Sequence, residues 1–190
     1  MEDIYKVVLV GESGVGKREI ICQYVHDNIQ ENMSSQFVRK TLEFPDGKSV
    51  TFDIWDTAGQ EKYRDTAKIY YKDAKAVIMV YDITCEKSFT EIKNYWYPEI
   101  KKLSRKDVIL AIAANRSELY HEETVNNNEA KEFAKEIGAI FMNTSKLSDI
   151  GVKSLFENIG RKILDPTFDF FAAQQKEEEE QKRKYEEKKN

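Results

Sequence analysis

A glycine-rich segment near the start of the chain has the spacing of a phosphate-binding loop. Glycines in such a loop let backbone N–H groups converge on phosphate oxygens, and the final lysine brings a positive charge to the β- and γ-phosphates. The alternative is an ordinary glycine-rich turn between a strand and a helix, but the complete G-x-x-x-x-G-K spacing favours the phosphate loop. Its predicted nucleotide-binding residues are Gly11, Glu12, Ser13, Gly14, Val15, Gly16 and Lys17.

Arg18 follows this loop, at the position where a P-loop has the serine or threonine that binds Mg²⁺. A guanidinium only donates hydrogen bonds, so it cannot serve as an oxygen ligand of the metal. Two interpretations stay open: Arg18 points into solvent from the first helix, or its charge occupies the place of the metal. We include Arg18 among the predicted nucleotide-binding residues and leave Mg²⁺ binding open.

A second segment that could take part in the chemistry closes the third predicted strand. It reads Trp55-Asp56-Thr57-Ala58-Gly59-Gln60-Glu61. A carboxylate at the C-terminal end of a strand can reach the coordination shell of a metal, and a glycine N–H can donate to a γ-phosphate. A P-loop kinase would need a lid for its phosphate acceptor, and the Asp-Thr-Ala-Gly-Gln sequence argues against that class.

These two segments resemble the Ras superfamily of small GTPases and, within it, the Rab family. The similarity is closest from Trp55 to Arg64 and at Tyr70-Tyr71, and it covers about residues 4–164. It implies binding of GTP or GDP by the P-loop. It also implies that Asp56 lies in the Mg²⁺ shell, that Gly59 senses the γ-phosphate, and that Gln60 is the catalytic residue that orients the attacking water.

The motifs that bind the guanine base in this family are altered here. Asn115-Arg116-Ser117-Glu118 stands where the family has Asn-Lys-x-Asp, and both changed positions keep the sign of their charge. The loop before the last helix, usually Ser-Ala-Lys, reads Ser145-Lys146-Leu147 after Thr144. The resemblance implies a base site made of Asn115, Arg116, Glu118, Ser145 and Lys146.

The first switch segment departs most from the family pattern. Asn32-Met33-Ser34-Ser35-Gln36 replaces the usual Thr-Ile-Gly before a strand-opening Phe37, and the segment is shorter than usual. The threonine that would bind Mg²⁺ and the γ-phosphate has no clear counterpart, although Asn32, Ser34 and Ser35 offer oxygen atoms.

Alternating strands and helices must position these motifs. Near-continuous apolar runs predict buried parallel strands at residues 4–10, 76–81, 108–113 and 139–143. Helical spacing predicts helices at 18–26, 87–103, 127–137 and 150–164. Two further strands, about 37–44 and 49–55, flank the hairpin turn Pro45-Asp46-Gly47-Lys48. We therefore predict an α/β P-loop small-GTPase fold, with a six-stranded, mostly parallel sheet, one antiparallel edge strand and helices on both faces.

The composition changes at Asp165-Pro166, which divides the chain into a Rab-like domain, 1–164, and an extension, 165–190. Phe168, Phe170 and Phe171 come first, followed by a charged run whose opposite charges four residues apart predict a solvated helix. Two interpretations stay open. The extension is a docking element for a partner, or its phenylalanines cap the core while the charged part is merely hydrated.

Composition and charge exclude several classes of function. The net charge of -4 argues against a nucleic-acid binder, and the two cysteines form no zinc motif. No apolar run approaches the length of a membrane span, which predicts a cytoplasmic protein. The sequence ends Glu187-Lys188-Lys189-Asn190, and without a terminal cysteine we expect no prenyl anchor.

Two functional hypotheses follow. The first is an active GTPase switch in intracellular vesicle traffic, in which GTP orders the two switches and effectors respond. The second is a pseudo-GTPase, a guanine-nucleotide-binding interaction module or subunit of a larger assembly whose hydrolysis is weak or absent. We favour the second because the metal, switch, base and anchor motifs all depart from the family. Its protein partners are expected at the switch surfaces and the C-terminal extension.

Overall fold

The computed structural model of the chain describes residues 3–25, 37–57 and 64–189, with the side chains of Ile150 and Lys189 outside this description. Its centre is a six-stranded sheet in the order β2-β3-β1-β4-β5-β6. The strands are β1 (Ile4–Val10), β2 (Phe37–Glu43), β3 (Ser49–Asp56), β4 (Ala76–Asp82), β5 (Ile109–Asn115) and β6 (Ile140–Asn143). Only the β2–β3 pair is antiparallel among these strands, and β2 lies at the edge. The predicted fold class is confirmed.

Seven α-helices connect and flank the strands in the part of the chain that is described. They are α1 (Lys17–Val25), α2 (Arg64–Tyr71), α3 (Glu86–Glu91), α4 (Tyr97–Leu103), α5 (Asn127–Glu136), α6 (Ile150–Leu164) and α7 (Phe170–Lys189). A π-helical turn, Ile92–Trp96, joins α3 to α4, so the helix predicted at 87–103 is interrupted. A 3₁₀ turn, Ser117–Glu122, follows β5. Neither α2 nor these two turns was predicted from the sequence.

The helices cover both faces of the sheet. Phe52 and Trp55 are three residues apart on β3, so their side chains point to opposite faces. Phe52 packs against Phe156 of α6, which also stacks on Tyr24 of α1 at 3.8 Å between ring centroids. Trp55 instead contacts Tyr70 of α2. Coverage on both sides explains why β1, β4 and β5 are near-continuous apolar runs rather than alternating ones.

The C-terminal ends of the parallel strands bring the predicted motifs to one edge of the sheet. Gly11 follows β1, Asp56 ends β3, Asn115 ends β5 and Thr144 follows β6. β1 and β4 are neighbours at the centre of the sheet. The connection that follows β1 leads to the β2–β3 side, whereas the connection that follows β4 leads to β5 on the other side. Such a switch point in a parallel sheet opens a crevice for a ligand.

The beginning of the C-terminal extension packs against the domain. Phe170 is buried, Phe168 and Phe171 are partly buried against the core, and Lys162 donates to the carbonyl of Phe168 at 2.6 Å. Residues 175–188 of α7 are exposed and include a Glu180–Lys184 ion pair of 2.6 Å. The predicted charged helical tail is confirmed, whereas the domain boundary at residue 165 stays a prediction. Within the described ranges, none of the helices has the length and apolarity needed to cross a membrane.

Candidate nucleotide-binding site

The loop between β1 and α1 has the backbone conformation of an anion-binding loop. Gly11 has φ 144°, and a Cβ atom there would lie 2.3 Å from the carbonyl oxygen of Val80. Gly16 has φ 94°, and a Cβ atom there would lie 2.3 Å from the side-chain nitrogen of Asn115. Larger residues are excluded at both positions, because the loop is drawn against the ends of β4 and β5.

Lys17 begins α1 and folds back over this loop. Its ammonium donates to the carbonyl oxygens of Gly11 and Glu12, both at 2.9 Å, and its side chain is buried. Burial lowers the pKa of Lys17, while the charges of Asp56 and Glu12 act in the opposite direction. Because an ammonium has three donors, the third stays available for a phosphate oxygen.

Arg18 pairs with the carboxylate that the family resemblance assigns to Mg²⁺. Its Nε lies 3.3 Å from Oδ2 of Asp56, although two-thirds of the Arg18 side chain is exposed. Oδ1 of Asp56 is buried and has no hydrogen-bond partner among the described residues. Arg18 is therefore largely exposed to solvent, as the first interpretation expects, and its charge also contacts the carboxylate assigned to the metal, as the second expects.

One oxygen ligand of the family's Mg²⁺ pattern is replaced at this place. The position after Lys17 supplies a cation instead of a hydroxyl, and Asp56 is the family-pattern carboxylate among the described residues. Gly59 and Gln60 lie outside the described residues. The same holds for the candidate oxygen ligands of the first switch, Asn32, Ser34 and Ser35.

Asn115 connects the phosphate loop to the predicted base site. Its side-chain nitrogen donates to the carbonyl of Val15 at 2.9 Å, and its side-chain oxygen accepts from the hydroxyl of Thr144 at 2.9 Å. Both side chains are buried. Thr144 was not among the predicted site residues, although its place directly after β6 and directly before Ser145 is a signal that would have identified it.

Glu118 offers a buried pair of acceptors beside this connection. Both of its carboxylate oxygens are buried and without a hydrogen-bond partner in the part of the chain that is described. The loop that carries it is fixed because the backbone N–H of Ser117 donates to the carbonyl of Thr144 at 3.0 Å. A buried carboxylate without donors is unfavourable by itself, so this pair of oxygens is suited to a ligand that brings two donors.

Arg116 is engaged by side chains of the protein. Its guanidinium forms a short ion pair with buried Asp82 and a second contact of 3.7 Å with Glu19 of α1. It has a left-handed backbone conformation, φ 64°, at the turn that follows β5. Arg116 therefore links the predicted base loop to β4 and α1.

The loop of Ser145 and Lys146 reaches this region through the neighbouring Thr144. The hydroxyl of Ser145 accepts from the backbone N–H of Leu147 at 3.1 Å. Lys146 is exposed, and Ser145 is half-buried. The predicted base residues therefore lie at the same edge of the sheet. The hydroxyl of Ser145, however, forms its hydrogen bond within its own loop.

A cluster around Arg64 also reaches the phosphate loop, and sequence analysis missed it. The guanidinium of Arg64 pairs with Glu12 at 2.5 Å and with Glu91 at 2.7 Å. It lies over the ring of Tyr95 at 4.1 Å from the centroid. Arg64 is 52 residues from Glu12 and 27 from Glu91, so no local spacing in the sequence indicates the cluster.

A P-loop at the switch point of a mostly parallel sheet, with buried acceptors beside it, defines a nucleotide-binding domain. The Ras family model matches residues 6–165. Human Ras-related protein Rab-31 is 40% identical over 168 residues, covering 85% of each chain. Human Ras-related protein Rab-22A is 39% identical over 162 residues, covering 83% of this chain and 82% of its own. The chain belongs to the Ras family and is a Rab-like small GTP-binding protein.

Proposed function

We propose that this protein is a guanine-nucleotide-binding interaction module with weak or absent GTP hydrolysis. In this proposal it acts in the cytoplasm as a subunit of a larger intracellular assembly, as a pseudo-GTPase. The observation that carries the proposal is the ion pair between Arg18 and Asp56, 3.3 Å from Nε to Oδ2.

The ion pair disfavours Mg²⁺ at the place where the family uses it. Mg²⁺ requires oxygen ligands in near-ideal octahedral geometry, and Arg18 removes one such ligand. Its guanidinium also repels a dication and competes for the Asp56 carboxylate. The metal ordinarily neutralises charge between the β- and γ-phosphates during hydrolysis, so hydrolysis is the step that this substitution slows most.

Nucleotide binding survives the same substitution. The phosphate loop and the third donor of Lys17 do not depend on the metal. A guanidinium also makes charge-assisted hydrogen bonds to phosphate oxygens, which offset part of the lost attraction of Mg²⁺. Retained binding with reduced turnover is therefore the expected combination.

Guanine is the base that the Glu118 carboxylate suits. Guanine presents two adjacent donors, N1–H and N2–H, to a pair of acceptor oxygens, whereas adenine presents a donor beside an acceptor. The two buried oxygens of Glu118 lack partners among the described residues, and a bidentate contact from guanine would satisfy both.

The partner surface that we propose lies beside the two switch segments. Phe37, Trp55 and Tyr70 form a row of rings with centroid separations of 5.0 Å and 5.5 Å, and neighbouring Ile69 is 71% exposed. An aromatic row with an exposed aliphatic side chain is typical of the centre of a protein interface. The exposed, charged part of α7 is the second docking element in this proposal.

An active GTPase switch in vesicle traffic is the second candidate. The observation that favours it is Oδ1 of Asp56, which has no partner within the described residues and can bind a metal through water. In this alternative Arg18 turns into solvent when Mg²⁺ and nucleotide bind together.

Nucleotide release after chelation distinguishes the two candidates. The protein is loaded with fluorescent GDP, EDTA is added, and release is followed in the native protein, in Arg18→Ser and in Arg39→Ser. Arg39 is the matched control because it forms a comparable ion pair with Asp53 on the edge strand. The proposal predicts that EDTA accelerates release only in Arg18→Ser. Rapid EDTA-dependent release from the native protein would instead support the active switch.

A further inference from the structure

Glu12 places a negative charge inside the loop that binds phosphates. Its backbone carbonyl accepts from the Lys17 ammonium at 2.9 Å, and its carboxylate is close enough to act on the charge of that ammonium. A carboxylate that turned toward the phosphates would repel them, and this effect is strong because the site is partly shielded from water. The loop therefore needs something that restrains and neutralises this side chain.

Arg64 supplies that restraint from outside the loop. One of its terminal nitrogens lies 2.5 Å from Oε1 of Glu12 and 2.7 Å from Oε2 of Glu91. Only 13% of the Arg64 side chain is exposed. Its guanidinium contacts the ring of Tyr95 at 4.1 Å and that of Trp96 at 5.6 Å. A cation held by two carboxylates and two aromatic rings has little freedom to leave.

The cluster joins three elements that are distant in sequence. Glu12 belongs to the phosphate loop, Arg64 is the first residue of α2, and Glu91 is the last residue of α3. The π-helical turn that follows α3 carries Tyr95 and Trp96. π-Helical turns inside helices are frequent at functional sites, and here the turn supplies the surface on which the guanidinium lies.

We infer that Arg64 is a positioning residue for nucleotide retention, which holds the Glu12 carboxylate away from the phosphates and neutralises it. The inference rests on the nucleotide binding of the proposed function. It extends that function to regulation, because a partner that pulls the start of α2 away from the loop frees the charge of Glu12 and expels the nucleotide.

Release of fluorescent GDP from variants of the full chain tests the inference. Arg64→Met should accelerate release by about tenfold, equivalent to about 1.4 kcal/mol. Adding Glu12→Gln to Arg64→Met should return release to within about twofold of the native rate, because the repelling charge is gone. Adding Glu91→Gln instead is the matched control and should leave release fast. Equal rates in native protein and Arg64→Met, or equal rescue by both glutamines, would overturn the inference.

Two measurements separate this charge effect from a loss of structure. Added salt should reduce the ratio of the release rate of Arg64→Met to that of the Arg64→Met/Glu12→Gln variant, because screening weakens the repulsion between Glu12 and the phosphates, while the attraction of Lys17 is common to both variants. Glu12→Gln alone, which keeps Arg64 bound to Glu91, should release GDP more slowly than the native protein, and faster release would contradict the inference. A native protein that binds no guanine nucleotide would contradict the proposed function itself. A native protein that binds the nucleotide, with variants that release it at the native rate, would contradict only the inference about Arg64.

Discussion

The side-chain nitrogen of Asn115 donates to the carbonyl of Val15 at 2.9 Å, across 100 residues of sequence. The hydroxyl of Thr144 completes this connection by donating to the side-chain oxygen of Asn115 at 2.9 Å. The phosphate loop, the end of β5 and the loop after β6 are therefore held together by two buried hydrogen bonds. Through this connection, the geometry of the phosphate loop depends on the base loops.

Thr144→Val should destabilise the protein through this connection. Valine has nearly the shape of threonine but leaves the buried oxygen of Asn115 without its donor, which costs about 1–3 kcal/mol. Denaturant unfolding of the nucleotide-free protein measures this change. Thr41→Val is the control, because Thr41 shares a hydroxyl contact of 2.9 Å with Thr51 but is exposed on the edge strand. A loss for Thr144→Val no larger than that for Thr41→Val would show that the connection contributes little.

Glu118→Asp should tighten binding of GDP and GTP. Glutamate keeps the carboxylate of the family motif on a stem longer by one methylene, so its two hydrogen bonds to guanine are displaced rather than lost. Hydrogen bonds to charged groups contribute about 1–3 kcal/mol of binding free energy, and the shorter stem of aspartate should regain part of that contribution. Titrations with guanine and adenine nucleotides measure the change, which should be confined to guanine. Equal native affinities for the two bases, or no gain in the variant, would contradict base recognition by Glu118.

Phe170→Ala should destabilise the domain by about 3 kcal/mol, because it empties a buried aromatic position. Tyr185→Ala on the same helix is the control, since Tyr185 is 62% exposed. Truncation after Asp165 should cost more than Phe170→Ala, because it also removes Phe168 and Phe171 from the core, whereas truncation after Gln175 should leave stability unchanged. Thermal unfolding of the four variants measures these differences. Full stability after the loss of Phe170 would mean that the phenylalanines do not cap the core and are free to dock a partner.

Local patterns predicted most of the fold and the phosphate loop. The runs that became β1 and β4 are nearly continuous in apolar residues because helices cover both faces of the sheet, so their sequence alone indicated a parallel arrangement. The phosphate loop was equally predictable, because its function depends on glycines and a lysine that are consecutive in the sequence. The helix α6 followed from an apolar stripe in which Leu155, Phe156 and Ile159 are fully buried.

Features that depend on long-range charge pairing could not be predicted. The contacts of Arg64 with Glu12 and Glu91 arise only once α2, α3 and the phosphate loop are packed together. The π-helical turn also leaves no periodic signal, since it inserts one wider turn into a pattern that otherwise predicts a continuous helix. For the same reason, the sequence left open whether Arg18 points into solvent or occupies the place of the metal, and its ion pair with Asp56 was not predicted.

Single-turnover hydrolysis of bound GTP at saturating Mg²⁺ tests the central claim about Arg18 most directly. The native protein, Arg18→Ser and the control Arg39→Ser are loaded with GTP, and the conversion to GDP is followed by chromatography. If Arg18 excludes the metal that hydrolysis requires, Arg18→Ser should hydrolyse GTP at least about tenfold faster than the native protein, a difference of about 1.4 kcal/mol in activation free energy. The Arg39→Ser variant should match the native rate. A native protein that hydrolyses GTP as fast as Arg18→Ser would contradict the account.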